Sequence, residues 1–152
     1  MNAALLYRIA AVLLVLFAVG HTVGFQQSDP AWGVSALVDS MRSIHFDVQG
    51  FSRTYWDLFV AAGFSVSVFY LLAAVLAWEL GGLSADTLAA MRLTGWALAL
   101  SFFAITVLSW KYLFWIPISF SLAITVCLTL AGWSSTRQFQ ALKARDPKTE
   151  PI

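Results

Sequence analysis

Four runs of apolar residues, each long enough to cross a bilayer, leave this chain little choice of fold. They extend from about Leu5 to Phe25, Tyr55 to Leu80, Leu88 to Trp110 and Phe114 to Trp133. A hydrocarbon core about 30 Å thick needs about 20 helical residues at 1.5 Å rise each. Every run reaches that length with almost no charge inside it. The pattern predicts an all-α fold, an integral membrane bundle of four transmembrane helices.

Of 152 residues, 60% are hydrophobic and 11% charged, with a formal net charge of +1. That balance supplies no basic surface for a polyanion, so nucleic acid is not an expected partner. After four spans only short loops and a tail remain, which predicts one transmembrane domain over residues 1–136 and a polar tail over 137–152. Cys127, the single cysteine, falls in the fourth run as a small apolar packing residue. No disulfide can form within one chain, and paired redox thiols are missing.

Lys and Arg are retained on the cytoplasmic side of a membrane. With the N-terminus inside, Arg8, Arg92, Arg137, Lys143, Arg145 and Lys148 are cytoplasmic, against Arg42, Arg53 and Lys111 outside. Both termini are therefore expected in the cytoplasm, and the 26–54 loop outside. The first run also admits a signal-peptide reading, because Ala18-Val19-Gly20 has the small-x-small pattern of a cleavage site. Cleavage would leave an N-terminal His21, whose amine and imidazole could hold a copper ion. The apolar run continues through Val23 and Phe25, however, and four spans already satisfy the charge rule.

Local chemistry marks the span ends. In Thr54-Tyr55-Trp56-Asp57 a hydroxyl and a carboxylate three residues apart can satisfy free N–H groups where the second helix begins. Gly81-Gly82 can end that helix through a left-handed conformation, and Ser84 can cap the next. Pro117 suits the first turn of the fourth span. The pairs Trp56 and Trp78, Trp96 and Trp110, and Trp115 and Trp133 fall toward opposite ends of their spans, as interfacial anchors do. Gly20 and Gly24 form a G-x-x-x-G step, read here as helix packing inside the bundle and as a weaker candidate for a dimer contact. Pro147 and Pro151 oppose a long helical continuation of the tail.

The outer loop is the most informative stretch. Asp29-Pro30 reads as a cap and a first helical turn. Leu37, Met41, Ile44, Val48 and Phe51 then recur at steps of four and three, which predicts an amphipathic helix along the outer membrane face or over the mouth of the bundle. Asp29, Asp39, Arg42, His45, Asp47, Arg53 and Asp57 gather here, with His21 at the same depth on the first helix. Such a group at the entrance of an apolar cavity can bind a polar head group or move a proton, and it can equally be a solvated surface.

His21, His45, Asp47, Arg53, Trp56 and Asp57 are thus the candidate ligand-binding residues. His21, His45 and Asp57 are expected to converge at the outer mouth. On a helix His45 and Asp47 point about 200° apart and cannot grip one ion. A metal site from His21, His45, Asp47 and Asp57 has no H-x-x-x-H or H-x-x-E-H spacing behind it, so no metal is expected. A haem would need His21 and His45 to face each other across it, and no cofactor is expected. Ser65, Ser67, Ser101, Thr106, Ser121 and Thr125 can bond to their own helix backbone. The span centres carry no charge, which argues against a proton-coupled transporter or a charged-substrate channel.

The segments GHTVGF and MRSIHFDVQGFSRTYWDLFVAAG resemble those of a family of small bacterial four-helix integral membrane proteins of no assigned activity. The likeness covers nearly the whole chain and implies a place in the bacterial inner membrane. The early histidine, long first outer loop and aromatic-rich helices are more loosely similar to the emopamil-binding and sigma-2-receptor group. Members of that group bind or isomerise sterol-like molecules with acids inside the membrane cavity, for which Asp57 is the nearest counterpart here. Two readings follow. One is a protein that binds or transforms a small lipophilic molecule at the extracytoplasmic mouth. The other is a non-catalytic structural or accessory subunit, packed on a membrane protein partner or on a second copy. The residues leave open whether the chain is an enzyme.

Overall fold

The computed structural model describes residues 2–143. Its elements are α1 (Ala3–Gly24), a 3-10 turn (Pro30–Trp32), α2 (Ser35–Ser43), β1 (His45–Val48), β2 (Phe51–Thr54), α3 (Tyr55–Leu80), α4 (Ala85–Ala90), α5 (Arg92–Tyr112) and α6 (Trp115–Lys143). The chain is mostly helical, and α1, α3, α5 and α6 are long and apolar enough to cross a membrane.

Two span boundaries differ from the sequence reading. The third run, expected from Leu88, is broken at Met91, so Leu88 belongs to the short α4 and the long helix begins at Arg92. Ser84 starts α4 by accepting the Thr87 N–H at 3.4 Å. The fourth helix does not stop near Trp133. Ser135 and Thr136 donate to the carbonyls of Ala131 and Gly132 at 2.8 and 2.9 Å, so the polar residues join the helix, which runs to Lys143. The expected tail therefore begins inside α6, and its remainder, with Arg145, Pro147, Lys148 and Pro151, lies outside the described residues.

Gly81 and Gly82 do follow the last residue of α3, but neither takes a left-handed conformation. Close approach explains Gly81 instead: a Cβ there would lie 3.0 Å from both the Ala4 carbonyl oxygen and the Arg8 Cγ. The G-x-x-x-G step also needs correction. A Cβ on Gly20 or Gly24 would meet nothing within 4 Å, so among the described residues no other helix packs on this step.

The chain divides into two compact units, Ala18–Leu71 and the segments on either side of it. The flanking unit, here the bundle unit, holds the dense core. Tyr7, Leu14, Leu80, Ile124 and Leu128 are its largest fully buried side chains, joined by Ala10, Ala11, Ala73, Ala74, Ala77, Ala99 and Ala131. Tyr7 runs between helices, its hydroxyl against Gly95 and hydrogen-bonded to Ser135. Phe17 and Phe120 stack at 5.6 Å, and Thr106 meets Thr125 at 3.1 Å between α5 and α6.

Ala18–Leu71, the loop unit, departs most from expectation. Asp29 caps the 3-10 turn by accepting the Ala31 N–H at 2.8 Å, and Gly33 ends it at φ 67°. A helix follows only over Ser35–Ser43; the continuous stripe from Leu37 to Phe51 does not exist, because Ile44 is extended and an antiparallel hairpin begins at His45. Gln49 and Gly50, at φ 51° and 85°, form a two-residue turn with both central residues left-handed, the geometry whose twist matches paired strands. Val48 and Phe51, three apart, fit the helical stripe, but across this turn they pair on one face of the hairpin with Phe46 beside Val48, and the turn decides between the two.

Candidate functional site

The last turns of α1 meet the first half of α3 through one stripe on each helix. His21 in the last turn of α1 and Phe25, the residue that follows the helix, are four residues apart, and their rings stack at 5.3 Å and 22°. On α3, Gly63, Ser67 and Tyr70 share a face at steps of four and three. The Phe25 ring fills the space that a Cβ on Gly63 would need. His21 Nε2 then reaches the Gly63 carbonyl at 3.2 Å, and the Tyr70 ring stands edge-on to the imidazole at 5.7 Å and 80°. A carbonyl only accepts, so Nε2 is the donor in this contact. Thr22 lies 2.8 Å from the Ala18 carbonyl and 2.7 Å from Ser67 Oγ, dividing one hydroxyl proton between them.

Rings continue from this point toward the loop. Phe25 contacts Phe64 at 5.3 Å and Phe59 at 5.8 Å, Phe59 contacts Trp56 at 5.4 Å, and the Arg42 guanidinium lies 4.1 Å over Trp56. The Arg42–Trp56 distance is well inside the range of a cation–π contact. Arg42 is thereby committed to an aromatic face.

The polar residues of the hairpin form a second group. Thr54 ends β2 and begins α3: its N–H donates to Asp57 Oδ2 at 2.9 Å, while its hydroxyl accepts the Asp57 N–H at 3.1 Å. This reciprocal cap is the one expected from the Thr54 to Asp57 spacing. His45 pairs across the hairpin with Thr54, and Asp47 with Ser52, so His45 and Asp47 share one face after all. The extended backbone removes the helical objection to that pair. Even so, no group of three or more His, Cys, Asp or Glu among the described residues is placed to hold a metal ion.

His45 Nδ1 is 3.0 Å from the Ser43 carbonyl, and Arg53 donates to the Ser52 carbonyl at 2.9 Å with its guanidinium 5.3 Å over Phe51. Thr54 links these residues: it pairs with His45 across the hairpin, follows Arg53 in β2 and is capped by Asp57.

The structure thus gathers His45, Arg53 and Asp57 at the junction of hairpin and α3. Asp47 lies farther along β1, exposed, and Trp56 belongs to the ring series. His21 is tied to α3 at Gly63, about 9 Å along the helix from Asp57 at 1.5 Å per residue. Sequence reasoning missed Thr22, Phe25, Gly63 and Tyr70 as partners of His21. The available signal was Gly63, a lone glycine within a long apolar helix, with Ser67 and Tyr70 following at helical spacing.

These features define a class, a helical chain with four segments of membrane-spanning length and a loop unit rich in rings and hydrogen bonds. They do not extend to a family: comparison with known protein families, with curated proteins and with solved structures finds no match.

Proposed function

We propose that this is a four-span integral membrane protein that binds a small lipophilic molecule beside His21, at the end of the bundle carrying the 26–54 loop. One observation carries the reading. The imidazole is half-buried between Phe25 and Tyr70 at spanning-helix depth, where aromatic faces suit an apolar body and the imidazole offers a polar contact. His45, Arg53 and Asp57 address the polar end of a ligand from the junction. In this reading both termini are cytoplasmic, the loop is extracytoplasmic, and α2 lies on the membrane face. A place in the bacterial inner membrane is part of the same proposal.

A photoreactive long-chain alcohol bearing a diazirine near its hydroxyl tests the proposal in reconstituted vesicles. The expected labelling concentrates on residues 21–25 and 59–70, falls on addition of the same alcohol without the diazirine, and weakens in His21→Ala. Even labelling of all four helices, unchanged by competitor, would overturn it.

The second reading, a non-catalytic accessory subunit, draws on Gly20 and Gly24. Their open surface lets a helix of a partner, or of a second copy, approach closely. Uncompeted labelling together with a cross-link through Gly20→Cys would favour it.

A further inference from the structure

The turn between α5 and α6 has the wrong chemistry for water. Trp110, Tyr112, Phe114 and Trp115 are 75%, 66%, 63% and 74% exposed, and Leu113 between them is 55% exposed. The sequence Trp110-Lys111-Tyr112-Leu113-Phe114-Trp115 contains no Gly, Pro, Asn, Asp or Ser, the residues that usually build solvated turns. The α3–α4 connection, with Gly81, Gly82 and Ser84, has the ordinary composition.

Hydrocarbon does not suit the turn either. At the start of α6 the Trp115 and Ile116 N–H groups have no acceptor within their own helix, Pro117 has no N–H and Ile118 N–H reaches the Phe114 carbonyl at 3.5 Å; the last carbonyls of α5 are likewise open except where Leu113 N–H reaches the Ser109 carbonyl at 2.9 Å. Unpartnered backbone groups are excluded from lipid-exposed hydrocarbon. Between these limits lies the headgroup layer, where amphipathic rings concentrate and polar partners are present. Lys111 supplies the matching charge: its ammonium lies 4.9 Å over the Tyr112 ring at the same end of α5.

We propose that the α5–α6 turn is a lipid-docking element embedded in the headgroup layer, with Lys111 pairing with the phosphodiester of an anionic phospholipid. The inference rests on α5 and α6 crossing the bilayer, and the control below separates that premise from the proposal. The pairing fixes the depth of the turn by charge, while the rings resist movement into water or into the acyl core.

The test places single cysteines in the full chain in a Cys127→Ser background: Leu113→Cys in the turn, Ser52→Cys in the hairpin and Leu100→Cys midway along α5. Each carries an environment-sensitive fluorophore. Vesicles of phosphatidylcholine with or without phosphatidylglycerol carry bromine at shallow or deep acyl positions, and iodide is the aqueous quencher.

Position 113 is expected to be quenched most by shallow bromine and to be several-fold less open to iodide than position 52. Iodide access equal to that at position 52, or strongest quenching by deep bromine, would overturn the embedding. Position 100 must be quenched by deep bromine; if no brominated lipid reaches it, the spanning premise itself fails. Lys111→Glu is expected to raise iodide access at position 113 in vesicles containing phosphatidylglycerol far more than in pure phosphatidylcholine. An equal effect in both would remove the phosphodiester pairing.

Discussion

The bundle unit and the loop unit are held together by different means. The bundle unit buries a dense set of alanines and large apolar side chains such as Leu14, Ile124 and Leu128, with the hydroxyls of Ser109, Ser121, Thr125 and Ser135 among them. Among the described residues of the loop unit only Ala18, Thr54 and Ser67 are buried, and two of these three are hydroxyls in hydrogen bonds. Apolar surface gains little from burial against another helix when lipid is the alternative, so close backbone approach and directional bonds become the main sources of cohesion. The bundle unit combines the two, adding bonds such as Thr106 to Thr125 to its close packing, whereas the loop unit, with little buried, depends on the second. Close packing admits one arrangement, whereas hydrogen bonds and ring contacts can be exchanged for those of a ligand. The candidate site accordingly lies where cohesion is directional.

The strongest way to break this contrast is to add one methyl group to each unit. A Cβ on Gly95 meets the Tyr7 hydroxyl, and Tyr7 is only 1% exposed, with no room to yield. A Cβ on Gly63 meets the Phe25 ring, the outer part of a half-buried side chain that can rotate. Both substitutions gain up to about 1 kcal/mol of helix propensity. Gly95→Ala should nonetheless lower stability by about 1–3 kcal/mol through overpacking, while Gly63→Ala stays close to neutral. Unfolding in mixed micelles of increasing dodecyl sulfate content measures both. Adding Tyr7→Phe to Gly95→Ala should recover part of the loss by removing the clashing atom, a coupling that a double-mutant cycle reads directly. Equal losses at the two glycines would mean that the loop unit is as tightly packed as the bundle.

What was legible in the sequence follows the same division. Helices of spanning length were readable because length and apolarity are local properties, and the Thr54 to Asp57 cap was readable because it closes over three residues. The hairpin was not. Leu37, Met41, Ile44, Val48 and Phe51 satisfy a helical period, and Gln49-Gly50 is a weaker turn signal than Asn-Gly. His21 could be placed near a membrane edge, but its acceptor is a backbone carbonyl forty-two residues away, and a carbonyl has no residue-type signature. The loop residues His45, Arg53 and Asp57 were flagged by charge; their grouping follows from the strand register and the cap, which are tertiary facts.

A smaller effect is expected at the junction, where the loop unit has its own buried capping residue. Thr54→Ala removes the hydroxyl that accepts the Asp57 N–H and should cost about 1 kcal/mol. Thr54→Ser keeps that acceptor and should recover most of the stability. Hydrogen exchange localises the change: amide 57 should lose protection in the alanine variant, and amides in α5 and α6 should not. Loss of protection throughout α5 and α6 would show that the two units unfold as one and erase the contrast between them.

The smallest effect should come from Gln49→Asn, and it has the opposite sign. Gln49 sits at φ 51°, a region where asparagine is far better tolerated than glutamine, and Gly50 already supplies the second left-handed position. Asparagine followed by glycine is the preferred pair for this turn, so the substitution should stabilise the hairpin by about 0.5 kcal/mol. A two-stranded hairpin is marginal by itself, and its own amides are the place to look. Exchange at Val48 and Phe51 should slow, while the protection of Ser67, beside the His21 contact, should stay constant. Unchanged exchange at Val48 and Phe51 would show that contacts beyond the turn already hold the hairpin, such as Phe46 against Tyr55 at 4.9 Å. Slower exchange at Ser67 would carry more weight, because it would couple the hairpin to the imidazole region across the ring series from Trp56 to Phe25. The loop unit would then be a single cooperative element, and a ligand bound beside His21 would be felt at the junction of His45, Arg53 and Asp57.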